Sequence, residues 1–514
     1  MKRRTFIVTA IGAAMTRRAF GAAFIRGRDV SYEPDQPLVS TGLRIEDGMK
    51  ILEKGRKGNI PPVLREEILE NPNAVFIVRA GVTTSKDTNG WYKPCPDQME
   101  HLGNRVSELV FLRGTGKGGK TVINPNLVGW LGKQSPVTLS FPGIVHPCFI
   151  VGLTDRLHDL GNTNTAITAR GALRHDHVVE SGFQALLDQH KLPLIEAHLQ
   201  YFRDYKKSEL MWFENPEGLV TRKFAIIRPV FEKDAAYINI AHAHVHKVGH
   251  TTLTLKNNQG IMPRGYGHIC DAWTTLDIYR RDIFKDFNPD FRRAIEKSYV
   301  KHANMNYKYW DDGDFYKSYL NMGGYDAFMR VFKNYDVERI ELVKQYYSKE
   351  LREAIEKEGL KLVKQVLDKE YQEKNSKSMD KLYDYADSRI FWAEIWAQRM
   401  MDINAVLPAP YVSMVEGVFA RGDNGTELLN FVTVGRNMTA VDSVTSWLMG
   451  QDPRGLPYLR IANERGLGEN DIEKIPVYYL SEKGVEKVAD YRTLERGKLG
   501  IYNYGITEIG LRYF

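Results

Sequence analysis

Between residues 146 and 241 the spacing of apolar positions changes repeatedly along the chain. Apolar residues recur at intervals of three and four across Phe149 to Leu160 and again across Val178 to His190, which predicts two amphipathic helices. Short β-prone runs lie between and after them: ITARGAL from Ile167, LPLIEA from Leu192, FAIIRPV from Phe224, and Ala235 to Ala241. Upstream, helical spacing over Gly48 to Lys57 and Pro62 to Leu69 precedes the strand-like AVFIVRAGV at Ala74 to Val82. Downstream, the same mixture resumes with YVSMVEGVFARGDNG from Tyr411, LNFVTVG from Leu429, and the helical NMTAVDSVTSWLMG from Asn437. Strands and helices joined by short connections predict βαβ units, hence an α/β fold with a mostly parallel sheet.

The stretch from Leu276 to Val406 breaks this pattern. Ile340, Val343, Tyr347, Leu351, Ile355, Leu362 and Val366 recur at helical spacing, Asp336 is placed to cap, and Glu353 and Lys357 form an i,i+4 pair. A second helix carries Tyr383, Ile390, Phe391, Trp392, Ile395 and Trp396. An aromatic stripe at that spacing is the mark of a packed face, with a substrate or cofactor wall as the sharper alternative. The chain therefore divides into a leader at 1–23, a Rossmann-like α/β core in two parts at 24–275 and 407–514, and an inserted α-helical lobe at 276–406.

Composition narrows the function. A length of 514 residues with 26% charged residues suits a globular chain of two or three domains, as does a mean hydropathy of −0.39. No apolar run is long enough to predict a membrane span in the mature chain. Lys2, Arg3, Arg4, Thr5, Phe6 and Ile7, a mildly apolar run to Met15, then Arg17 and Arg18 before Gly21, Ala22 and Ala23, have the layout of a twin-arginine signal. The expected location is the periplasm, and export of already folded chains suits a protein carrying a metal or cofactor. The net charge of +7 falls by five, to +2, without the basic residues of that leader. Nucleic acid is thus not an implied partner. The three cysteines, Cys95, Cys148 and Cys270, are far apart in sequence, so a four-cysteine iron–sulfur cluster cannot come from this chain alone.

Gly114, Gly119, Lys120 and Thr121 satisfy the spacing of a phosphate-binding loop, with Leu109 to Leu112 in the place of its strand. Such a loop must open a helix, whereas VINPN follows, β-branched and then broken by Pro125. The segment reads as a glycine turn into a strand, and no nucleoside triphosphate is expected there.

The chemistry concentrates in the stretch from Asp234 to Gly260. His242, His244, His246 and His250 fall within nine residues, with His268 beyond. In a strand, residues two apart share a face, so His242, His244 and His246 line one side at spacings of about 7 Å. Such a row can grip a transition metal, zinc or iron, or when protonated an anion. The following TTLTLK and NNQG predict one or two helical turns stopped by Gly260 as a C′ residue. The histidines then sit at a strand's carboxyl end, where open α/β sheets keep their sites. His146, His158, His175, His177, His190 and His198 stand singly or as a pair, and each reads first as a surface or capping residue.

Several of these segments resemble the domain of unknown function 362 family. Its pattern N-x-P-K-x-K-x-H followed by T-x-x-x-K-N-x-x-G is met by Asn239, His246, Thr252, Lys256, Asn257 and Gly260. His242 and His244 replace the family's two lysines, and Ala241 its proline. KTVINPNL at Lys120 to Leu127 is similar to another family segment. So are Glu416 and Gly417 in place of Asp-Gly, Ala440, Val441 and Asp442, and Gly450, Asp452 and Pro453. Some relatives are described as iron–sulfur proteins, a property the cysteine count does not support here.

The expectation from residues and resemblance together is a metal-dependent enzyme, an oxidoreductase or a hydrolase, acting on a small molecule or with a redox partner. His242, His244 and His246 supply ligands, and Asp234, Glu416 or Asp442 a carboxylate ligand or general base, while Lys256 and Asn257 orient an anionic or carbonyl substrate. Asp442 has a local explanation as well, because Thr439 and Asp442 resemble a capping box. The competing readings are a non-catalytic periplasmic protein that binds or assembles a metal or cofactor, and a histidine-rich strand end satisfied by its own backbone.

Overall fold

The computed structural model describes residues 62–88, 92–93, 95–112, 119–127, 144–169, 183–196, 210–214, 223–227, 230, 235–246, 249–262, 397, 400–407, 409–422 and 425–499. The leader, His175, His177, His198, Asp234, His268, Cys270 and nearly all of the expected helical lobe lie outside them.

In chain order the elements are α1 (Glu66–Glu70), β1 (Val75–Arg79), α2 (Pro96–Val110), β2 (Lys120–Pro125), α3 (Pro147–Asp159), β3 (Thr165–Ala169), α4 (Phe183–Gln189) and β4 (Leu194–Glu196). After the hairpin of β5 (Leu210–Glu214) and β6 (Lys223–Ile227) come β7 (Ala235–His246), β8 (His250–Thr252) and α5 (Thr254–Asn257). The last part contributes β9 (Val412–Gly422), β10 (Gly425–Gly435), α6 (Met438–Leu448), α7 (Pro457–Glu464), β11 (Val477–Ser481) and β12 (Gly484–Lys487).

Ten strands form one sheet, in the order β12-β11-β1-β10-β9-β7-β2-β3-β4, with β8 paired to β7. The half built from β9, β7, β2, β3 and β4 is parallel throughout, as the βαβ pattern predicted. The sheet as a whole is mixed rather than parallel: β10 runs antiparallel to both β9 and β1, and β12 antiparallel to β11. The reason is connection length. Only two residues separate Gly422 from Gly425, its cross-strand partner, and a parallel neighbour needs a crossover of a dozen or more. FAIIRPV was expected in the α/β alternation, but its strand β6 pairs with β5 in a separate two-stranded sheet.

Helices cover both faces. Phe76 and Val78 of β1, Ile238 and Ile240 of β7, and Val412 and Met414 of β9 pack with residues of α2 and α3 in one buried cluster. The alternate positions Val75, Ile77, Ala241, Ala243 and Val415 pack with Ala440, Val441, Val444 and Leu448 of α6 in another. The helix pair α2–α3 lies close, because a Cβ on Gly103 would collide with the Phe149 carbonyl and one on Gly152 with the Glu100 backbone.

Three local expectations change. Leu109 and Val110 end helix α2 and Phe111 bridges to Leu64, so no strand precedes the glycine turn; Lys120 does open a strand. The cap of α6 is Asn437, whose side chain accepts from the Ala440 N–H, so Thr439 and Asp442 do not form a capping box. Gly260 lies inside a 3-10 turn over Asn258–Ile261 instead of ending a helix in the left-handed region. It is small because the Asn124 side chain stands 3.1 Å from where its Cβ would be.

Candidate functional site

Strand β7 brings the histidines to the carboxyl ends of the parallel strands. Alternation continues from Ile238 and Ile240, so His242 and His244 stand on the α2–α3 face. His242 is paired in register with Glu416 of β9, and both side chains are 1% exposed. Beyond this pair the register jumps, so that His244 faces Arg421. The irregularity ends regular pairing beside the two rings, the usual effect of a bulge near a site.

The ring centres of His242 and His244 are 5.7 Å apart with planes tilted by 35°. His244 Nδ1 lies 3.2 Å from the His242 carbonyl oxygen. A neutral ring donates from that nitrogen and leaves its lone pair on Nε2. His242 Nε2 faces Glu416 Oε2 at 3.9 Å, and its Nδ1 is buried with no hydrogen-bond partner among the described residues. Burial pushes His242 down to about 3, with Arg421 and His146 acting in the same direction against the Phe419 backbone. Burial also holds His244 well below the ordinary histidine value, helped by His242, Lys256 and Arg421. Both rings are therefore neutral near pH 7.

Glu416 is anchored by main chain. The Val418 N–H donates to Oε1 at 2.8 Å and the His146 N–H to Oε2 at 3.4 Å. Burial raises its carboxyl to about 7 in spite of these donors and of the Phe419 N–H.

His146 enters the site from α3. It caps that helix, its Nδ1 accepting from the Cys148 N–H at 3.2 Å. Burial pushes the ring down to about 4, so it is neutral and its proton sits on Nε2. That N–H is buried and has no acceptor among the described residues. The sequence marks His146 as a cap, through the Pro147 that opens a helix, but not as a neighbour of Glu416.

The other expected residues divide. Lys256 is 3% exposed and donates to Thr252 Oγ1 at 2.9 Å, which brings it beside His244 because Thr252 pairs with that residue across β7 and β8. His246 pairs with His250, and its Nδ1 accepts from the Gly249 N–H at 3.0 Å, so it helps close the β7–β8 turn. Asn257 Nδ2 is engaged by Asn124 O, Asn239 Oδ1 and Ile240 O. It ties α5 to β2 and β7. Asp442 caps α5 from outside, accepting from the Thr254 N–H at 2.7 Å, the Thr254 hydroxyl at 2.6 Å and the Leu255 N–H at 3.0 Å. Burial raises Asp442 to about 7 against those three bonds. Among the described residues no three His, Cys, Asp or Glu side chains form a ready ligand group. No described helix is long and apolar enough to cross a membrane.

The site is thus a buried pair of neutral imidazoles, a carboxyl group behind one of them, an imidazole N–H with no acceptor among the described residues, and a lysine. A profile of the family described as domain of unknown function (DUF362) matches residues 121–447, a span that includes every one of these groups. No curated protein matches the chain, and no solved structure does.

Proposed function

The chain belongs to the domain of unknown function 362 family, and from that premise we propose that it is an exported metal-dependent enzyme whose ion is held by His242 and His244. The observation that carries this reading is the geometry of the two rings. Imidazoles that share an ion, each nitrogen about 2 Å from it, have ring centres roughly 5–6 Å apart, and these are 5.7 Å apart. Neutral rings offer lone pairs to a metal, whereas anion binding by imidazolium needs the protonated form that burial opposes. The His242 carbonyl orients His244 through Nδ1, the usual arrangement behind metal-bound histidines, and Glu416 stands behind His242, 3.9 Å from its Nε2. Glu416 then acts from behind His242, not as a ligand, and two protein ligands leave positions open for water and substrate.

An ion so placed supplies Lewis-acid or redox chemistry, consistent with hydrolase or oxidoreductase activity on a small molecule. Export rests on the Arg3-Arg4-x-Phe6-Ile7 motif. Elemental analysis of protein purified from the exported compartment is the direct test, with zinc or iron expected at one per chain. His242→Ala and His244→Ala lose it, while His246→Ala, which removes the acceptor of the Gly249 N–H, keeps most of it. Wild-type protein that carries no transition metal after folding under metal-replete conditions overturns the reading. The near-complete burial of His242 also suits a protein that holds a metal for delivery; transfer of the ion to an acceptor chain without turnover would select that role.

A further inference from the structure

Two cations stand beside the imidazole pair. Arg421 of β9 is opposite His244 in the register of β7 and β9, and Lys256 is joined to the same position through Thr252. A third donor is neutral: the buried His146 Nε2–H, fixed on that nitrogen by the Cys148 N–H. An ion bound by two uncharged rings would gather further positive charge beside the buried Lys256 ammonium, costly where water is excluded, with the exposed Arg421 guanidinium adding a weaker, screened repulsion. A negatively charged ligand removes the conflict.

We propose that the group completing this site is an oxyanion, the carboxylate or phosphate of a small substrate, held by Lys256 Nζ and the Arg421 guanidinium with the His146 Nε2–H as a further donor. The inference rests on the metal reading of His242 and His244 for the ion and on separate residues for the anion. A lysine provides a point charge and an arginine a two-pronged donor, a pairing suited to a small anionic group approached from two sides. Arg421 is exposed on its strand and Lys256 is buried.

The test is zinc titration of the full chain alone, with sodium acetate and with inorganic phosphate, in the wild type and in Arg421→Gln, Lys256→Met and Lys256→Arg. In the wild type one of the two anions tightens zinc binding on the order of tenfold, as reciprocal coupling between neighbouring ligands requires, and which anion does so identifies the group. Arg421→Gln and Lys256→Met abolish the coupling yet bind zinc alone more tightly, since a repelling charge is gone; Lys256→Arg restores it. Arg421 is exposed, so its variant remains informative if Lys256→Met fails to fold. Absence of coupling in the wild type, or its persistence in Arg421→Gln, overturns the proposal. If zinc does not bind the wild type, the metal reading fails, and direct calorimetric titration of the metal-free chain decides the anion site: acetate or phosphate binding that Arg421→Gln weakens sustains it, and no binding ends it.

Discussion

Replacing Asp442 separates a structural carboxylate from a reacting one. Its two oxygens receive three hydrogen bonds from Thr254 and Leu255, all buried, at the start of the helix that carries Lys256 and Asn257. Asp442→Ala strands two backbone N–H groups and leaves the Thr254 hydroxyl with the Met438 carbonyl at 3.4 Å. Each buried donor deprived of its acceptor costs ~1–3 kcal/mol. Removing a buried carboxylate returns part of that, so the net loss expected at pH 7 is about 3 kcal/mol, or roughly 3 °C in melting temperature for a chain of 514 residues. Asp442→Asn keeps one acceptor oxygen and turns an amide donor toward the remaining donors, so its loss is about 2 kcal/mol. The pH dependence has a defined sign. The folded-state value is raised to about 7, so the folded form takes up the proton more readily than the unfolded chain. The contribution is fully present below the unfolded value near 4 and is lost as pH rises through 7. An asparagine does not titrate there, so the gap between wild type and Asp442→Asn narrows from pH 5 to pH 8. Thermal and urea unfolding followed by circular dichroism measure all of this. An Asp442→Asn chain that melts within a degree of the wild type at pH 7 would show that the second oxygen is not committed to α5.

Three further outcomes follow from single features. His250 has a left-handed backbone, φ 64, and burial lowers its ring to about 4; folding is then weakened as pH falls from about 6.5 toward 4. His250→Asn, which tolerates that backbone, should remove on the order of 2 kcal/mol of the stability lost between pH 6.5 and 5, read by urea unfolding at both values, and an unchanged acid slope would refute it. Gly152→Ala forces α3 off the Glu100 backbone and should cost 1–3 kcal/mol or more, with weakened metal binding because His146 and the Glu416 anchor move with the helix; a chain of wild-type stability shows the contact to be loose. Changing Arg3 and Arg4 to lysine should hold the precursor in the cytoplasm, and unaltered export on fractionation would remove the twin-arginine assignment.

Local patterns made the histidine strand legible. His242, His244 and His246 alternate as a strand does, and β7 carries all three; Thr254 to Asn257 forms the expected helical turn, whereas Thr251 and Thr252, read as part of it, belong to β8, and Gly260 does not stop it. What remained hidden depends on contacts distant in sequence. Asp442 looked like the cap of its own helix and caps another 188 residues away, because the free N–H groups of Thr254 and Leu255 become visible only when α5 packs on α6. His146 and Glu416 are 270 residues apart, and no periodicity links them. The antiparallel pairing in the middle of the sheet escaped because β9 and β10 each read as a strand run, and their apolar faces carry no mark of strand direction.

The amide of Asn404 gives the fold a point of modular exchange. Asn258 Nδ2 donates to Asn404 Oδ1 at 2.8 Å, and Asn404 Nδ2 donates to the Leu255 carbonyl at 3.1 Å. Ile261 and Met262 share a buried cluster with Ile403 and Leu407. Met262 and Ile403 therefore lie in one buried wall although they are 141 positions apart in the sequence. Two positions so fastened let the sequence between them change in length during evolution at little entropic cost to the sheet, since closure entropy changes only slowly with the number of residues closed. Asn404 itself bonds the Leu255 carbonyl, so the returning chain is fixed directly to the helix that carries Lys256.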